Sequence, residues 1–208
     1  MSFRKEEKVI FHISEYGKLK NLILLSNAKT IYPKRHIKSI YFDNNNNQMF
    51  IDSEEGSLPR KKLRIRTYPK NNIETNWFFE KKINSVEGKF KTTKKINDFK
   101  KKNLLKFGIH DEIYGNCYPN LYVEYIREYF FLSNARITLD KSISYKSFLN
   151  NKSIKKVDKL VLEYKSKDLN DFDLFNGKIP FQFSRMSKYC EGFNELFNPS
   201  HSHREIKY

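Results

Sequence analysis

Polar and apolar residues alternate along several stretches of the chain. In a strand, side chains two apart share a face, so Arg60, Lys62, Arg64 and Arg66 fall on one side and Leu63 and Ile65 on the other. The split recurs: Glu6 and Lys8 oppose Val9 and Phe11, Glu80 and Lys82 oppose Phe79, and Tyr125 and Arg127 oppose Ile126. Likewise Arg136, Thr138 and Asp140 oppose Ile137 and Leu139, while Glu163 and Lys165 oppose Leu162 and Tyr164. Runs rich in β-branched and aromatic residues predict strands over 5–13, 38–43, 60–68, 75–83, 122–131, 135–144 and 159–166. Helices are expected over 16–26, 97–107 and 184–197, the last with Phe193, Leu196 and Phe197 at helical spacing. Asn44 to Asn47, Asn71-Asn72 and Asn150-Asn151 mark turns. Many strands and few helices point to an α+β fold, mainly antiparallel β: a closed barrel with helices packed outside, since closure removes sheet edges.

Length and charge narrow this picture. At 208 residues the chain is expected to form one domain, with a frayed tail over 199–208. Lys and Arg number 40 against 24 Asp and Glu, a formal charge of +16, which raises the local concentration of polyanions. The charge alone does not separate nucleic acid, acidic membrane and phosphate metabolite. The first residues carry no apolar secretory stretch and the longest aliphatic run, Leu22 to Leu25, is too short to span a bilayer, so a cytoplasmic location without membrane span is expected. Cys117 and Cys190 lie far apart and read as buried free thiols. His12, His36, His110, His201 and His203 are assigned no role.

A single strand with one charged face is ordinarily half-buried, its charges in water. Six such strands curled into one barrel would instead converge their charges on a lumen. There Arg would offer fork-shaped donors to phosphate oxygens, Lys compact charge, and a few carboxylates a seat for a hard divalent cation.

These residues resemble the polyphosphate polymerase domain of the vacuolar transporter chaperone (VTC) proteins, within the triphosphate tunnel metalloenzyme superfamily, in its stand-alone bacterial form. The likeness runs in order through Arg4-Lys-Glu-Glu-Lys8, Ser39-Ile-Tyr-Phe-Asp43, Arg60-Lys-Lys-Leu-Arg-Ile-Arg-Thr-Tyr68 and Phe79-Glu-Lys-Lys82. It continues through Tyr125-Ile-Arg127, Ala135-Arg-Ile-Thr-Leu-Asp140, Leu162-Glu-Tyr-Lys165 and Met186-Ser-Lys-Tyr189. The resemblance implies an eight-stranded tunnel in which Lys8, Arg64, Arg66, Lys82, Lys91, Arg127, Arg136 and Lys188 contact phosphate oxygens. It makes Glu163 the principal metal ligand, and Tyr125 and Ser187 phosphate hydrogen-bond donors. Lys165 joins the substrate-binding set, and Glu6, Glu80 and Asp140 are expected to orient Lys or metal-bound water, Glu6 and Glu80 as further candidate metal ligands.

Hydrolytic members of that superfamily usually begin Glu-x-Glu-x-Lys, whereas Arg4 stands where the first Glu would be. The last matching strand likewise pairs Glu163 with Lys165 and not with a second acid. Fewer acids mean less capacity to position a hydrolytic water and more cations mean tighter retention of a chain. The expected activity is therefore polyphosphate polymerisation: metal-dependent transfer of the γ-phosphoryl of ATP to phosphate or a growing polyphosphate, with Mn2+ or Mg2+ as cofactor. An inorganic triphosphatase in the same tunnel is the alternative. A nucleic-acid binder is a lesser one, since basic charge combines with Phe78, Phe79, Tyr129 and Phe130.

Overall fold

The alternating runs pair edge to edge in a computed structural model that describes residues 5–71, 73–74, 76–132, 134–148, 155–166, 184 and 186–198. The strands are β1 (Lys5–His12), β2 (Lys29–Asp43), β3 (Arg60–Thr67), β4 (Trp77–Ser85), β5 (Gly88–Ile96), β6 (Ile109–Asp111), β7 (Gly115–Leu132), β8 (Ala135–Ser147), β9 (Lys155–Val157) and β10 (Lys159–Ser166). The helices are α1 (Tyr16–Leu25), α2 (Gln48–Glu55), α3 (Asp98–Phe107) and α4 (Lys188–Phe197). The turn expected at Asn150-Asn151 and the tail from residue 199 lie outside the described residues.

The sheet runs β1-β10-β8-β7-β2-β3-β4-β5, with β6 on β7 and β9 on β8, and the pairs are antiparallel. The expected closed barrel is corrected: β1 and β5 end the hydrogen-bonded path and do not pair. The main chain of β1 is engaged instead by the segment before α4, where Ser184 N–H donates to Lys8 C=O at 2.9 Å. Side chains span the gap, with Lys82 of β4 reaching 3.9 Å from Glu6 of β1. The edge strand β5 is mostly exposed and rich in Lys, which discourages edge-to-edge association.

The outer face is covered as the alternation requires. Val9, Phe11, Ile137, Leu139 and Leu162 pack with Leu19 and Ile23 of α1. Leu63 and Ile65 pack with Met49 of α2 and Leu104 of α3. Covering these rows removes an apolar surface that would otherwise drive association.

Not every helix lies outside, which is the second correction. Tyr189, Cys190 and Phe193 of α4 form one cluster with Val123, Tyr125, Tyr145 and Val161. Tyr125 and Val161 have the parity of Arg127 and Glu163, so α4 fills one end of the concave, charged face. The approach is close: a Cβ on Gly192 would meet Tyr145 at 2.4 Å and Leu121 at 2.8 Å. Gly192→Val is therefore expected to cost about 1–3 kcal/mol through overpacking, read as a lowered urea midpoint; an unchanged midpoint would mean that α4 does not seat there.

Helix α2 was not expected, because only the preceding Asn44 to Asn47 turn was visible. Its start is made by capping: Asn44 Oδ1 accepts from Gln48 N–H, and Asp43 accepts from the N–H groups of Met49 and Phe50. Asp43 also accepts from Tyr189 O–H at 2.5 Å, tying α2 to α4. Gly56, at φ 82°, ends the helix in the left-handed conformation.

Candidate active site

Three groups of charges meet on the concave face beside the α4 plug. Arg127 and Asp140 are direct partners across β7 and β8. Nε and Nη2 of Arg127 donate to the two Asp140 oxygens at 2.5 and 2.6 Å, and Nη2 also donates to Glu163 Oε2 at 3.1 Å. Lys188, the first residue of α4, donates to Asp140 Oδ2 at 2.5 Å. The Ser187 hydroxyl caps this helix by accepting from Cys190 N–H, so the cap that starts α4 also sets where Lys188 stands.

The second group joins β1 and β10. Lys165 lies 2.6 Å from Glu163 and 3.1 Å from Glu6, and Lys8 lies 3.3 Å from Glu6. Lys8 also donates to the Met186 carbonyl at 3.0 Å. The third group stands across the cavity on β3, β4 and β5. Glu80 accepts from Arg64 Nε and from Lys91, both at 2.7 Å, with Arg66 3.8 Å away. Arg64 donates to the Tyr41 hydroxyl at 2.8 Å, Arg66 to Ser39 and Tyr125 at 3.0 and 3.2 Å, and Lys62 to Ser187 at 2.8 Å.

Most of the expected residues are thus brought together. Lys91 lies on β5, a strand not expected from the sequence, where it stands opposite Lys82 and reaches Glu80. Arg136 has the right parity, opposite Lys165 on β10 and Phe131 on β7, but is exposed at the start of β8 and takes part in none of these ion pairs. Tyr41 and Ser39, quoted only as parts of a motif, prove to be partners of Arg64 and Arg66; their shared face on one strand was legible by parity, but the strands they would meet were not. Cys117 and Cys190 are free and buried.

Charge balance shapes the ionisation. Lys8, Lys62, Arg64, Arg66, Lys82, Lys91, Arg127, Lys165 and Lys188 outnumber Glu6, Glu80, Asp140 and Glu163. Burial would raise the carboxylate pKa of Glu163, but Arg127, Lys165 and Lys8 hold it well below the ordinary value. Against burial again, Arg64, Arg66 and Lys91 hold Glu80 down at about 2. Burial and then the neighbouring Lys8 and Lys165 push the Lys82 ammonium down to about 8, although Glu6 opposes this. Tyr41, which burial would raise, is brought to about 8 by Arg64, Arg66 and Lys62.

For both groups the sign is the same: raising pH through 8 removes a positive charge at Lys82 or adds a negative one at Tyr41. Affinity for tripolyphosphate is therefore expected to fall on the order of tenfold between pH 7 and 9. Tyr41→Phe should make the fall shallower. Titration calorimetry across that range checks it, and identical slopes in the two proteins would exclude Tyr41.

A divalent cation fits part of this donor set. Among the described residues no three His, Cys, Asp or Glu side chains are placed to hold a metal on their own. Magnesium-like ions are commonly held by one or two carboxylates plus substrate phosphates, and Glu163 and Glu6, sharing Lys165, could supply those carboxylates. All three carboxylates are already engaged, Glu163 by Arg127 and Lys165, Glu6 by Lys8 and Lys165, and Glu80 by Arg64 and Lys91, so a cation at any of them would displace a Lys or Arg contact.

The fold and site define a curled antiparallel sheet whose concave face is lined by a surplus of cations and plugged at one end. The chain belongs to the VTC domain family, whose model matches residues 3–197. No curated protein matches. Among solved structures, a putative adenylyl cyclase from Hippeastrum, described as having a dominant triphosphatase activity, is 14% identical at TM-score 0.55, covering 96% of this chain and 100% of its own. A putative adenylate cyclase from Bacillus halodurans is 15% identical at TM-score 0.54, covering 88% of this chain and 96% of its own. The PH1012 protein of Pyrococcus horikoshii is 14% identical at TM-score 0.53, covering 93% and 100%. At such identities the likeness is one of fold. No helix among the described residues is long and apolar enough to cross a membrane.

Proposed function

We propose that this protein is a metal-dependent phosphotransferase that passes the γ-phosphoryl group of ATP to phosphate or to a growing polyphosphate chain. The observation that carries it is the convergence of Arg64 and Arg66 on one wall with Arg127, Lys165 and Lys188 on the other, whose positive charge is only partly neutralised by Glu80, Asp140 and Glu163. A solvated face would leave such side chains extended into water. Here Arg66 and Arg127 are buried or nearly so and held by neighbours, which preorganises them for an anion.

Little proton chemistry is required, because a phosphate acceptor is already anionic near neutral pH. The residues neutralise repulsion between donor and acceptor, align them, and stabilise charge on the transferring group. Arg64 and Arg66 on one wall, and Arg127 and Lys188 on the other, would grip the phosphates from both sides. Tyr125 sits between the walls, its hydroxyl near Arg66 and its ring 4.7 Å from the Lys188 ammonium and 5.4 Å from the Arg127 guanidinium. A divalent cation on Glu163 and Glu6 would add charge stabilisation at the phosphates.

Triphosphatase action in the same cavity is the second reading, favoured by the fold shared with the Hippeastrum protein. Incubation with ATP and Mn2+ followed by gel staining separates the two: chains support the polymerase, and phosphate alone supports the hydrolase. Tripolyphosphate should also raise the melting temperature more than single-stranded DNA at matched charge and salt. Equal protection by DNA would favour a nucleic-acid binder.

A further inference from the structure

One cation near the site is surrounded by rings and not by acids. Arg35 of β2 stands opposite Arg127 of β7, at the end of the concave face away from α4. Its guanidinium carbon lies 4.9 Å from the ring centre of Tyr32, 5.3 Å from that of Tyr129 and 6.0 Å from that of Tyr68. Among the described residues no carboxylate pairs with it, whereas Arg64, Arg66 and Arg127 each have one.

The backbone is built to make this cluster. Residues three apart on a regular strand point to opposite faces, yet Tyr32 and Arg35 meet. The β2–β7 register shifts on both sides of Tyr32, and such irregularities re-aim side chains. Tyr32 stands edge-on to Tyr129 at 5.6 Å, and Tyr68 edge-on to Phe78 at 6.0 Å. Tyr32 is 47% exposed, so the cluster is open to an incoming molecule. Along β2 the residues pass from exposed at Lys29 to buried at Asp43, which places the cluster at the mouth and the plug at the far end.

We propose that Arg35, Tyr32, Tyr68 and Tyr129 form a stacking subsite for the nucleobase of a nucleoside triphosphate whose phosphates run inward towards Arg127. This rests on the reading of the concave face as a phosphate site and names where the rest of the donor lies. A phosphate chain alone would gain nothing from tyrosine rings, whose faces carry negative charge. A purine gains from both rings and guanidinium, since aromatic side chains and Arg planes stack on bases irrespective of base identity. The plug formed by Tyr189 and Phe193 leaves the mouth as the place for the bulky base, so the phosphates enter first.

The test compares ATP with tripolyphosphate by titration calorimetry on wild type, Tyr32→Ala, Tyr68→Ala and Arg35→Lys. The two tyrosine changes leave charge untouched, and Arg35→Lys keeps charge but removes the planar surface. Each is expected to weaken ATP binding on the order of tenfold while tripolyphosphate stays within about twofold. Equal weakening of both ligands overturns the stacking subsite and makes the cluster a phosphate contact. Unchanged ATP binding in all three variants overturns it outright. Wild-type protein that binds neither ligand removes the underlying phosphate site as well, which separates the two failures.

Discussion

Arg127→Ala is expected to lower the stability of the fold by about 3–5 kcal/mol, the usual cost of removing one partner from a buried ion cluster. Arg127 satisfies both oxygens of Asp140, which is fully buried, and one oxygen of Glu163. Lys188 and Lys165 remain near these acids but cannot replace a bidentate fork. Equilibrium urea denaturation measures the loss, and adding Asp140→Leu to Arg127→Ala should recover part of it by removing the stranded charge. Arg64→Ala should cost less, since Glu80 keeps Lys91 and Arg66. If Arg127→Ala were as stable as wild type, the cluster would be hydrated and the account of a preorganised interior would fail.

Glu163→Gln is expected to separate turnover from binding. The amide keeps shape, but removes the negative charge that would hold a divalent cation and that now sits between Arg127 and Lys165. Turnover of ATP should fall on the order of 100- to 1000-fold, the scale for losing one strong electrostatic contact in a transition state. Tripolyphosphate binding without metal should hold or strengthen, because two cations lose an internal competitor. Polyphosphate synthesis over a manganese titration, with metal-free calorimetry alongside, reads both quantities. Wild-type turnover in the variant at low manganese would move the metal role to Glu6, the adjacent carboxylate.

The site was legible to the extent that it lies on strand faces. Period-2 alternation is a local property, so the shared face of Arg64 and Arg66, and the parity of Glu163 with Lys165, could be read directly. The covering of Leu63, Ile65, Ile137, Leu139 and Leu162 followed from the same parity. Strand β5 was missed because its run of Lys89, Lys91, Lys94 and Lys95 carries little apolar alternation; it is an exposed edge whose outer residues need no core. The early part of β2 was missed for a related reason, being exposed at every position from Lys29 to Arg35 except Ile31 and irregular around Pro33. That stretch holds the Arg35 cluster, so its significance was hidden with it.

By itself, then, the sequence determined the sign of the charge, the two faces of each strand and the residue types able to bind phosphate. Tertiary structure alone decided that Asp140 is shared by Arg127 and Lys188, that Glu80 faces them from the opposite wall, and that Ser184 engages β1 where strand closure was expected. It also decided that α4 lies inside the curve, where Gly192 permits contact with Tyr145. These outcomes depend on contacts between residues far apart in the chain, where register, sheet curvature and helix docking are set by packing, and no short-range pattern encodes them.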